Sequence, residues 1–244
     1  MDPNLIPNVS VDCVVFGFDF KQLNVLLIER NMVYEGIDYK DFKLPGDLIG
    51  WTEDLNEGAT RVLKSLTGLD NIFLQQFLAF GAVNRLKFRE RDLAWLRGID
   101  HPEERVITVG FYSLINTGKP RRPDYSIRAD ARWCPVEEIG VLAFDHNNIV
   151  NQALEALRTE IKLKPIAFEL LPDKFTLSQL QKLYEVVIGT VYDKRNFRKK
   201  ISQVSYIVPI NEKQTNVSHK PARLYMFSRD VYAKTHKDSF DFSV

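Results

Sequence analysis

The last third of the chain carries the order of elements that most constrains the fold. Thr176 followed by Gln179 fits a capping box, which starts a helix, and the helical pattern stops at Gly189. Asp193 is a favourable first residue (N-cap) for a second helix. The segments YIVPI and RLYMF then have the composition of two strands around a polar loop, within residues 206–227. The sequence therefore predicts helix, short turn, helix and β-hairpin in that order.

That order is typical of a winged helix-turn-helix, and the charge of the second helix indicates its partner. Five of the seven residues from 194 to 200 are basic. Phe197 and Ile201 face the core at helical spacing, so the cations share the opposite face. A basic helix alone is more often a solvated surface. As the second helix of this motif, beside a basic loop, it favours the major groove of double-stranded DNA.

Side-chain chemistry divides the cations of this region into two predicted roles. Arg and Asn read guanine and adenine edges with two hydrogen bonds, whereas Lys mostly holds phosphates. The predicted base readers are Arg195, Asn196 and Arg198. The predicted phosphate contacts are Lys194, Lys199 and Lys200. The loop between the strands would be the wing, with DNA contacts from Lys220 and Arg223 and with Lys213 and His219 nearby.

Charge is distributed unevenly along the chain. Residues 1–162 hold 19 Lys and Arg against 24 Asp and Glu, whereas residues 163–244 hold 14 against 8. A basic C-terminal part favours a polyanionic partner. Pro165 follows a predicted helix at residues 147–162, and the local pattern changes there. We therefore expect a sensing domain at residues 1–162 and a DNA-binding domain at residues 163–244.

The N-terminal part contains a degenerate phosphate-chemistry motif. Residues 45–69, PGDLIGWTEDLNEGATRVLKSLTGL, resemble the Nudix box, G-x5-E-x7-R-E-U-x-E-E-x-G-U with U aliphatic. With Asp47 at the first Gly position, Glu53 and Arg61 fall at the required spacing. Further matches follow at Leu63, Gly68 and Leu69. The complete spacing makes the resemblance specific.

Three positions of this motif that should be Glu are instead Val62, Ser65 and Leu66. Carboxylates at i, i+3 and i+4 share one helical face and gather divalent metal ions over a pyrophosphate. Here that face offers two apolar side chains and one hydroxyl. We therefore expect no enzymatic activity, no catalytic residue, no metal and no cofactor. A salt link between Glu53 and Arg61 that braces the loop onto the helix is favoured over direct ligand contact.

Longer segments resemble the NrtR family of Nudix-related transcriptional regulators. The resemblance is carried by LAFDHNNIVNQALEALR (142–158), IAFELLPDKFTLSQLQKLYEVVIG (166–189) and DKRNFRKKI (193–201). It implies an α/β (α+β) Nudix-fold sensor domain followed by a C-terminal winged helix that binds operator DNA in response to a metabolite. RVLKSLTGL is most similar to the sugar-responsive, AraR-like branch, whose members answer to L-arabinose or similar pentoses. Other NrtR proteins answer to ADP-ribose.

The two effector classes need different pockets. A neutral pentose needs carboxylates, amides and an aromatic face, and the pyrophosphate of ADP-ribose needs cations or helix N-termini. The predicted effector-binding residues include groups of both kinds. They are Asp47, Trp51, Glu53, Arg61, Arg85 and Arg105, with Arg121 and Arg122 as further cations. The resemblance favours a pentose such as L-arabinose or xylose and the control of sugar utilisation genes.

Other readings stay open at this point. They are an ADP-ribose-responsive regulator of NAD metabolism, a Nudix hydrolase of ADP-ribose or a related nucleoside diphosphate compound, and an RNA-binding or adaptor protein. The last is weakened because no aromatic stacking platform lies beside the cations. Residues 86–99 look like an insertion relative to the family. We expect this segment to be a lid over the ligand, a dimer contact or a solvated surface segment, and the sequence does not choose among the three.

The remaining expectations concern the setting of the protein. No run approaches the ~18 consecutive apolar residues of a membrane span, and residues 1–10 lack the pattern of a signal peptide. Cys13 and Cys134 lie in apolar runs far apart, as buried thiols of a reducing compartment do. One DNA-binding module gives limited affinity, so such proteins dimerise on pseudo-palindromic sites. We therefore expect a cytoplasmic homodimer that makes no membrane contact.

Overall fold

The computed structural model describes residues 5–86, 92, 105–117, 127–215, 217–218 and 220–235, and side chains from residue 8 onward. Most of the predicted 86–99 insertion lies outside these residues, as do Arg121, Arg122 and His219. The chain forms two compact units. The first comprises Met1–Gly17, Asn24–Leu114 and Arg121–Ala156, and the second comprises Phe18–Leu23, Ile115–Pro120 and Leu157–Val244. Among the helices that the structure describes, none is long and apolar enough to cross a bilayer.

A mixed β-sheet forms the core of the first unit. The strands that the structure describes in it are β1 (Leu5–Phe18), β2 (Leu23–Tyr34), β3 (Ile37–Lys43), β4 (Gly46–Gly50), β5 (Gln75–Phe80), β6 (Ile107–Asn116) and β7 (Ala131–Pro135). Their order is β3-β2-β1-β6-β5, while β4 pairs with β1 and β7 pairs with β2. The apolar runs of β1 and β2 are almost wholly buried, which explains their continuous Val, Leu and Phe composition.

Local sequence rules predicted several of these elements correctly. The runs VDCVVFGF (11–18) and LNVLLI (23–28), rich in β-branched and other apolar residues, predict two strands, and these lie in β1 and β2. Asp19 caps the turn between them by accepting the N–H groups of Lys21 and Gln22. The apolar segments 77–83 and 106–115 predict two further strands, which correspond to β5 and β6 shifted by one to three residues.

Three strands were missed. β3 was missed because it is largely polar and exposed, β4 because it is five residues long with a glycine at each end, and β7 because only one of its side chains is buried.

Helix α1 (Leu55–Thr67) carries the Nudix-like motif. Asp54 accepts the backbone N–H of Glu57, whose side chain accepts the N–H of Asp54, so a capping box begins the helix. Gly68 ends it with φ of 80°, a left-handed conformation that glycine adopts without strain. Its buried face includes Ala59, Val62 and Leu63, which helical spacing places on one side. Helix α2 (His146–Leu163) matches the helix predicted at 147–162.

The second unit contains the predicted helix-turn-helix and hairpin. Helix α3 (Leu177–Ile188) begins with the predicted capping box of Thr176 and Gln179 and ends at Gly189 with φ of 78°. Helix α4 (Lys194–Ile201) is capped by Asp193, which accepts the N–H of Asn196. Strands β8 (Ile207–Lys213) and β9 (Arg223–Phe227) pair antiparallel, and helix α5 (Arg229–Thr235) follows.

Candidate functional sites: a ligand cleft and a nucleic-acid interface

A cleft of about 230 Å³ opens in the first unit where β1, β4 and the start of α2 meet. Its polar lining consists of Ser10, Asp12, Lys43, Asp47, Arg85 and His146. Its apolar lining consists of Leu48, Leu86, Val106 and Phe144, and Gly46 completes the wall. Cations, carboxylates and one aromatic ring therefore face a common volume. Such a mixed lining suits a ligand that has both charged and apolar parts.

The Asp12 carboxylate lies at the centre of this lining. It accepts a hydrogen bond of 2.8 Å from the Thr108 hydroxyl, and it lies 3.4 Å from Nε2 of His146 and 3.8 Å from Nη2 of Arg85. Asp12 is only 5% exposed. A buried carboxylate needs such partners, because removing its charge from water unpaired costs several kcal/mol. The polar floor of the cleft is thus held in place from three separate segments of the chain.

His146 is a neutral hydrogen-bonding group at this site. Its Nδ1 accepts the backbone N–H of Leu44 at 2.9 Å, so the ring proton is assigned to Nε2, which faces Asp12. Burial lowers the pKa of His146 to about 4, although the nearby Asp12 carboxylate opposes the shift. At neutral pH the imidazole therefore adds a donor to the cleft without adding charge.

Two cationic side chains line the cleft under different constraints. Arg85 is 4% exposed and makes a two-pronged ion pair with Asp145, at 2.8 and 3.1 Å. Burial raises the pKa of Asp145, and the Arg85 charge opposes that shift. The Lys43 ammonium donates to the Gly46 carbonyl at 3.0 Å. Burial lowers the pKa of Lys43, while Asp12 and Asp47 favour its charged form.

The aromatic wall of the cleft is fixed from behind by a buried ion network. The guanidinium of Arg30 bonds the Asp41 carboxylate through two contacts of 2.7 Å and bonds Asp92 at 2.5 Å. The Arg30 guanidinium also lies 5.2 Å from the centre of the Phe144 ring, and Asp92 accepts the Phe144 N–H at 3.2 Å. Asp92, which with Leu86 is described within the predicted insertion, therefore supports a side chain that lines the cleft.

The Nudix-like helix has a structural ion pair where the motif would place its chemistry. Glu53 accepts hydrogen bonds from Nε and Nη2 of Arg61, at 2.9 and 2.6 Å, and from the Gly50 N–H at 2.6 Å. Arg61 also donates to the Leu48 carbonyl. These contacts form the predicted salt link between the loop and the helix.

The three positions that carry metal-binding Glu residues in the Nudix pattern hold two apolar side chains and one hydroxyl. Val62 is fully buried, and Leu66 is half-buried. The Ser65 hydroxyl donates to the Val62 carbonyl at 3.1 Å. This face of α1 therefore presents no carboxylate to a metal ion.

The six predicted effector-binding residues are not gathered in one place. Asp47 and Arg85 line the cleft, whereas the other four do not. Trp51 is 62% exposed, Glu53 and Arg61 are occupied with each other, and the exposed Arg105 lies beside Gly81. These four lie in a turn, in two loops and on α1, although Nη1 of Arg61 still lies 4.0 Å from the Asp47 carboxylate.

Nine of the eleven residues that line the cleft were not predicted, and the polar ones among them are Ser10, Asp12, Lys43 and His146. The sequence held one signal for this site, the charged Asp12 inside the apolar run VSVDCVV, because a buried carboxylate requires polar partners.

Helix α4 has the two-sided character that the sequence predicted. Phe197 and Ile201 are each 2% exposed. The polar residues of the helix are exposed, except for Lys200, which is half-buried. They are the cations Lys194, Arg195, Arg198, Lys199 and Lys200 and the amide Asn196. Phe197 packs against the rings of Tyr184 and Tyr192 at 6.2 and 5.9 Å, which fixes the helix on α3. The predicted base readers and phosphate contacts therefore share one accessible surface.

The β8–β9 hairpin, which follows that helix in the chain, supplies three further exposed cations: Lys213, Lys220 and Arg223. Lys213 pairs with Arg223 in the register of the two strands, and Gln214 donates its N–H to the Ala222 carbonyl at the base of the loop. Arg223 and Lys220 are both exposed. They are accessible to a polyanion, as predicted for a wing.

The comparisons with known proteins find similarity both in the second unit and over most of the chain. The model of the NrtR DNA-binding winged helix domain matches residues 167–227. A crystal structure of Shewanella oneidensis NrtR, 27% identical, covers 91% of this chain and 94% of its own, with a TM-score of 0.68. The chain is therefore similar to NrtR proteins over most of its length, and residues 167–227 match the winged helix domain of that family. Its first unit is accordingly the Nudix-like α/β domain and its second unit carries the NrtR winged helix, so the predicted fold is confirmed.

Two further NrtR comparisons bear on function. The structure of Shewanella oneidensis NrtR complexed with a 27mer DNA is 25% identical, covers 92% of this chain and 95% of its own, and has a TM-score of 0.67. The curated relative "ADPR responsive transcriptional repressor NtrR" of Acinetobacter baylyi is 29% identical over 93% of this chain and 84% of its own length. These NrtR relatives give no support to the sugar-responsive branch that the sequence favoured.

Proposed function

We propose that the chain is a transcriptional repressor whose binding to operator DNA is controlled by ADP-ribose in its Nudix-like domain. The observation that carries the proposal is the similarity to the ADPR responsive repressor of Acinetobacter baylyi over 93% of this chain. The winged helix supports the DNA-binding half of the proposal, because its second helix presents a basic surface beside a basic hairpin.

The chemistry of the cleft supports an effector with a pyrophosphate. Lys43 and Arg85 supply positive charge for phosphate oxygens, and Phe144 supplies an aromatic face for a base. The carboxylates of Asp12 and Asp47 accept hydrogen bonds from ribose hydroxyls. A pentose, the effector favoured by the sequence, would use the carboxylates and leave the cations without a partner of opposite charge in the ligand. It enters the test as the competing ligand.

We further propose that the Nudix-like domain binds its effector without hydrolysing it. A divalent metal needs hard anionic oxygens, and the helix face that carries them in a Nudix enzyme holds Val62, Ser65 and Leu66 here. Incubation with ADP-ribose and Mg²⁺ should release no phosphate-containing product above a protein-free blank. Product that forms with the protein and disappears with a chelator would contradict this.

The partners of the proposed repressor are operator DNA, the effector and a second copy of the chain. One recognition helix reads a short stretch of sequence, so two copies on a pseudo-palindromic site would supply the affinity. Light scattering of the free protein measures this directly. A monomeric mass both free and on DNA would exclude the homodimer.

Coupling between effector and DNA tests the proposal as a whole. A ligand present at 100 times its Kd raises the free energy of unfolding by ~2.7 kcal/mol. ADP-ribose, but not L-arabinose or xylose, should therefore raise the melting temperature. If ADP-ribose changes the affinity for operator DNA by some factor, DNA must change the affinity for ADP-ribose by the same factor. Equal ADP-ribose affinities with and without operator would refute the proposed control.

Matched lysine variants assign the effect to the cleft. Lys43→Gln should remove most of the ADP-ribose shift, whereas Lys40→Gln should leave it intact. Lys40 lies on the same strand, and its ammonium pairs with Glu29 outside the cleft. If a pentose raises the melting temperature, ADP-ribose does not, and neither substitution removes that increase, the effector is the sugar instead.

A further inference from the structure

The most exposed large apolar side chain among the described residues lies in the turn of the helix-turn-helix. Val191 is 88% exposed, between Gly189, which ends α3, and Asp193, which caps α4. Single exposed apolar residues are ordinary on protein surfaces. The position of this one is informative because the first turn of α4, which begins three residues later, carries the predicted base readers.

The turn that presents Val191 is held by specific hydrogen bonds. The Glu185 carboxylate accepts the Tyr192 N–H at 3.1 Å and a hydrogen bond from Gln181 Nε2 at 2.9 Å. The same Gln181 amide donates to the Tyr192 carbonyl at 2.9 Å. The Gly189 N–H donates to the Glu185 carbonyl at 2.9 Å. Both ends of the turn are therefore fixed to α3.

Tyr192, the residue next to Val191, packs toward the interior of the unit. The Tyr192 ring packs on Phe197, whose side chain is buried under α4. Tyr192 thus anchors the turn inward while Val191 stands in solvent. The outward position of Val191 is part of a fixed turn, and its exposed isopropyl group precedes the exposed Lys194 and Arg195 by three and four residues in the chain.

We propose that Val191 contacts the 5-methyl group of a thymine in the major groove of the operator, and so adds an apolar reading of sequence to the polar reading by α4. The proposal rests on the DNA-binding function of the winged helix. An isopropyl group has no hydrogen bond to offer phosphates or base edges. The thymine methyl is the apolar group that the major groove presents, and it distinguishes thymine from the other three bases. The N-terminal end of a recognition helix is the part that enters this groove.

Removal of single methyl groups from the DNA tests the contact. A duplex selected by the wild-type protein from a randomised pool is remade with each thymidine replaced in turn by deoxyuridine, which lacks only the 5-methyl. One position, or its symmetric pair, should weaken wild-type binding about fourfold, the factor for one methyl-sized group left in water. Val191→Ala should weaken binding to the unmodified duplex by a similar factor and should no longer respond to deoxyuridine at that position.

Two variants control the measurement. Val191→Thr retains one methyl group and should keep part of the response. Val141→Ala removes the same atoms from a valine that is 74% exposed in the first unit, and it should behave as wild type. A deoxyuridine profile unchanged in Val191→Ala would overturn the proposal, and so would equal losses on the selected duplex and on random DNA, which indicate a backbone contact. Failure of the wild type to select any duplex would refute the DNA-binding function itself.

Discussion

The α-carbon of Gly46 lies so close to the Asp12 carboxylate that a Cβ atom there would be 1.9 Å from Oδ1. The two residues are partners in the register of β4 and β1. The missing side chain lets Asp12 face the cleft and accept the Thr108 hydroxyl. The shape of the cleft floor therefore depends on a glycine that the Nudix-like spacing alone does not mark.

Gly46→Ala should lower the free energy of unfolding by ~1–3 kcal/mol, because the new methyl also meets the Val11 carbonyl at 3.0 Å and the backbone must shift. It should also abolish the thermal shift by ADP-ribose. Gly140→Ala is the matched control, since a Cβ at Gly140 meets no atom within 4 Å. Urea denaturation of both variants measures the difference. Equal stabilities would mean that Asp12 moves aside at little cost.

His146 should make the stability of the protein fall as the pH drops below neutrality. Burial lowers its pKa in the folded protein from 6.5 to about 4, so between these values the unfolded chain takes up a proton that the folded chain does not. As the pH falls across this window, the free energy of unfolding should fall by up to ~1.4 kcal/mol per pH unit. Above pH 6.5 the imidazole is neutral in both states, and its titration no longer changes the stability.

His146→Gln keeps an acceptor for the Leu44 N–H and removes the titration. Urea denaturation of the wild type and the variant, at neutral pH and near pH 5, compares the two slopes. The wild type should lose more stability than the variant over this interval. Parallel losses would place the titration elsewhere in the chain.

The ion pair of Glu53 and Arg61 should contribute a modest amount of stability. Glu53→Gln should cost about 1 kcal/mol, since the pair is partly exposed and screened by water. The hydrogen bonds from Arg61 hold the pKa of Glu53 below its usual 4.5, although partial burial opposes them. Its contribution is therefore present above pH 4.5 and is lost as the pH falls through the lowered pKa.

A double-mutant cycle with Arg61→Gln checks that the two residues act on each other. The second substitution should add little once the first is present. Fully additive losses would show that each residue stabilises the loop independently.

The two kinds of cation on α4 should differ in their effect on sequence preference. Arg195→Ala should cost ~1–3 kcal/mol on the operator and much less on random DNA, if its guanidinium grips a guanine edge. Lys199→Ala should weaken both duplexes alike and reduce the salt slope by about one, because one fewer counterion is released. Fluorescence anisotropy over a range of salt concentrations gives both quantities. Equal losses on both duplexes for Arg195→Ala would remove it from the base readers.

Local rules predicted the parts of this molecule that local chemistry determines. The helix boundaries at Gly68 and Gly189 follow from the left-handed conformation that glycine tolerates. The N-caps at Thr176 and Asp193 follow from side-chain acceptors for free N–H groups. The exposed basic face of α4 follows from helical spacing. Each of these features depends on residues within a few positions of one another.

The cleft could not be predicted in the same way, because its residues come from distant segments. Asp12, Lys43, Arg85 and His146 meet only through strand register and the start of α2, and register is set by pairings that a single sequence does not reveal. The prediction instead centred on the Nudix-like motif and included Trp51, which is largely exposed. Trp51 lies next to a recognisable motif, whereas Asp12 is a single polar residue in an apolar strand and gives a weaker local signal.

The burial of Val62 restricts which side chains this position of α1 can hold. Its side chain is fully buried in the packed core, so Glu at this position would place an unpaired carboxylate in the interior at a cost of several kcal/mol. A substitution that introduces the first Glu of the Nudix pattern would therefore weaken the domain before any metal ion could bind. Core packing thus keeps this position apolar, whatever ligand the domain takes.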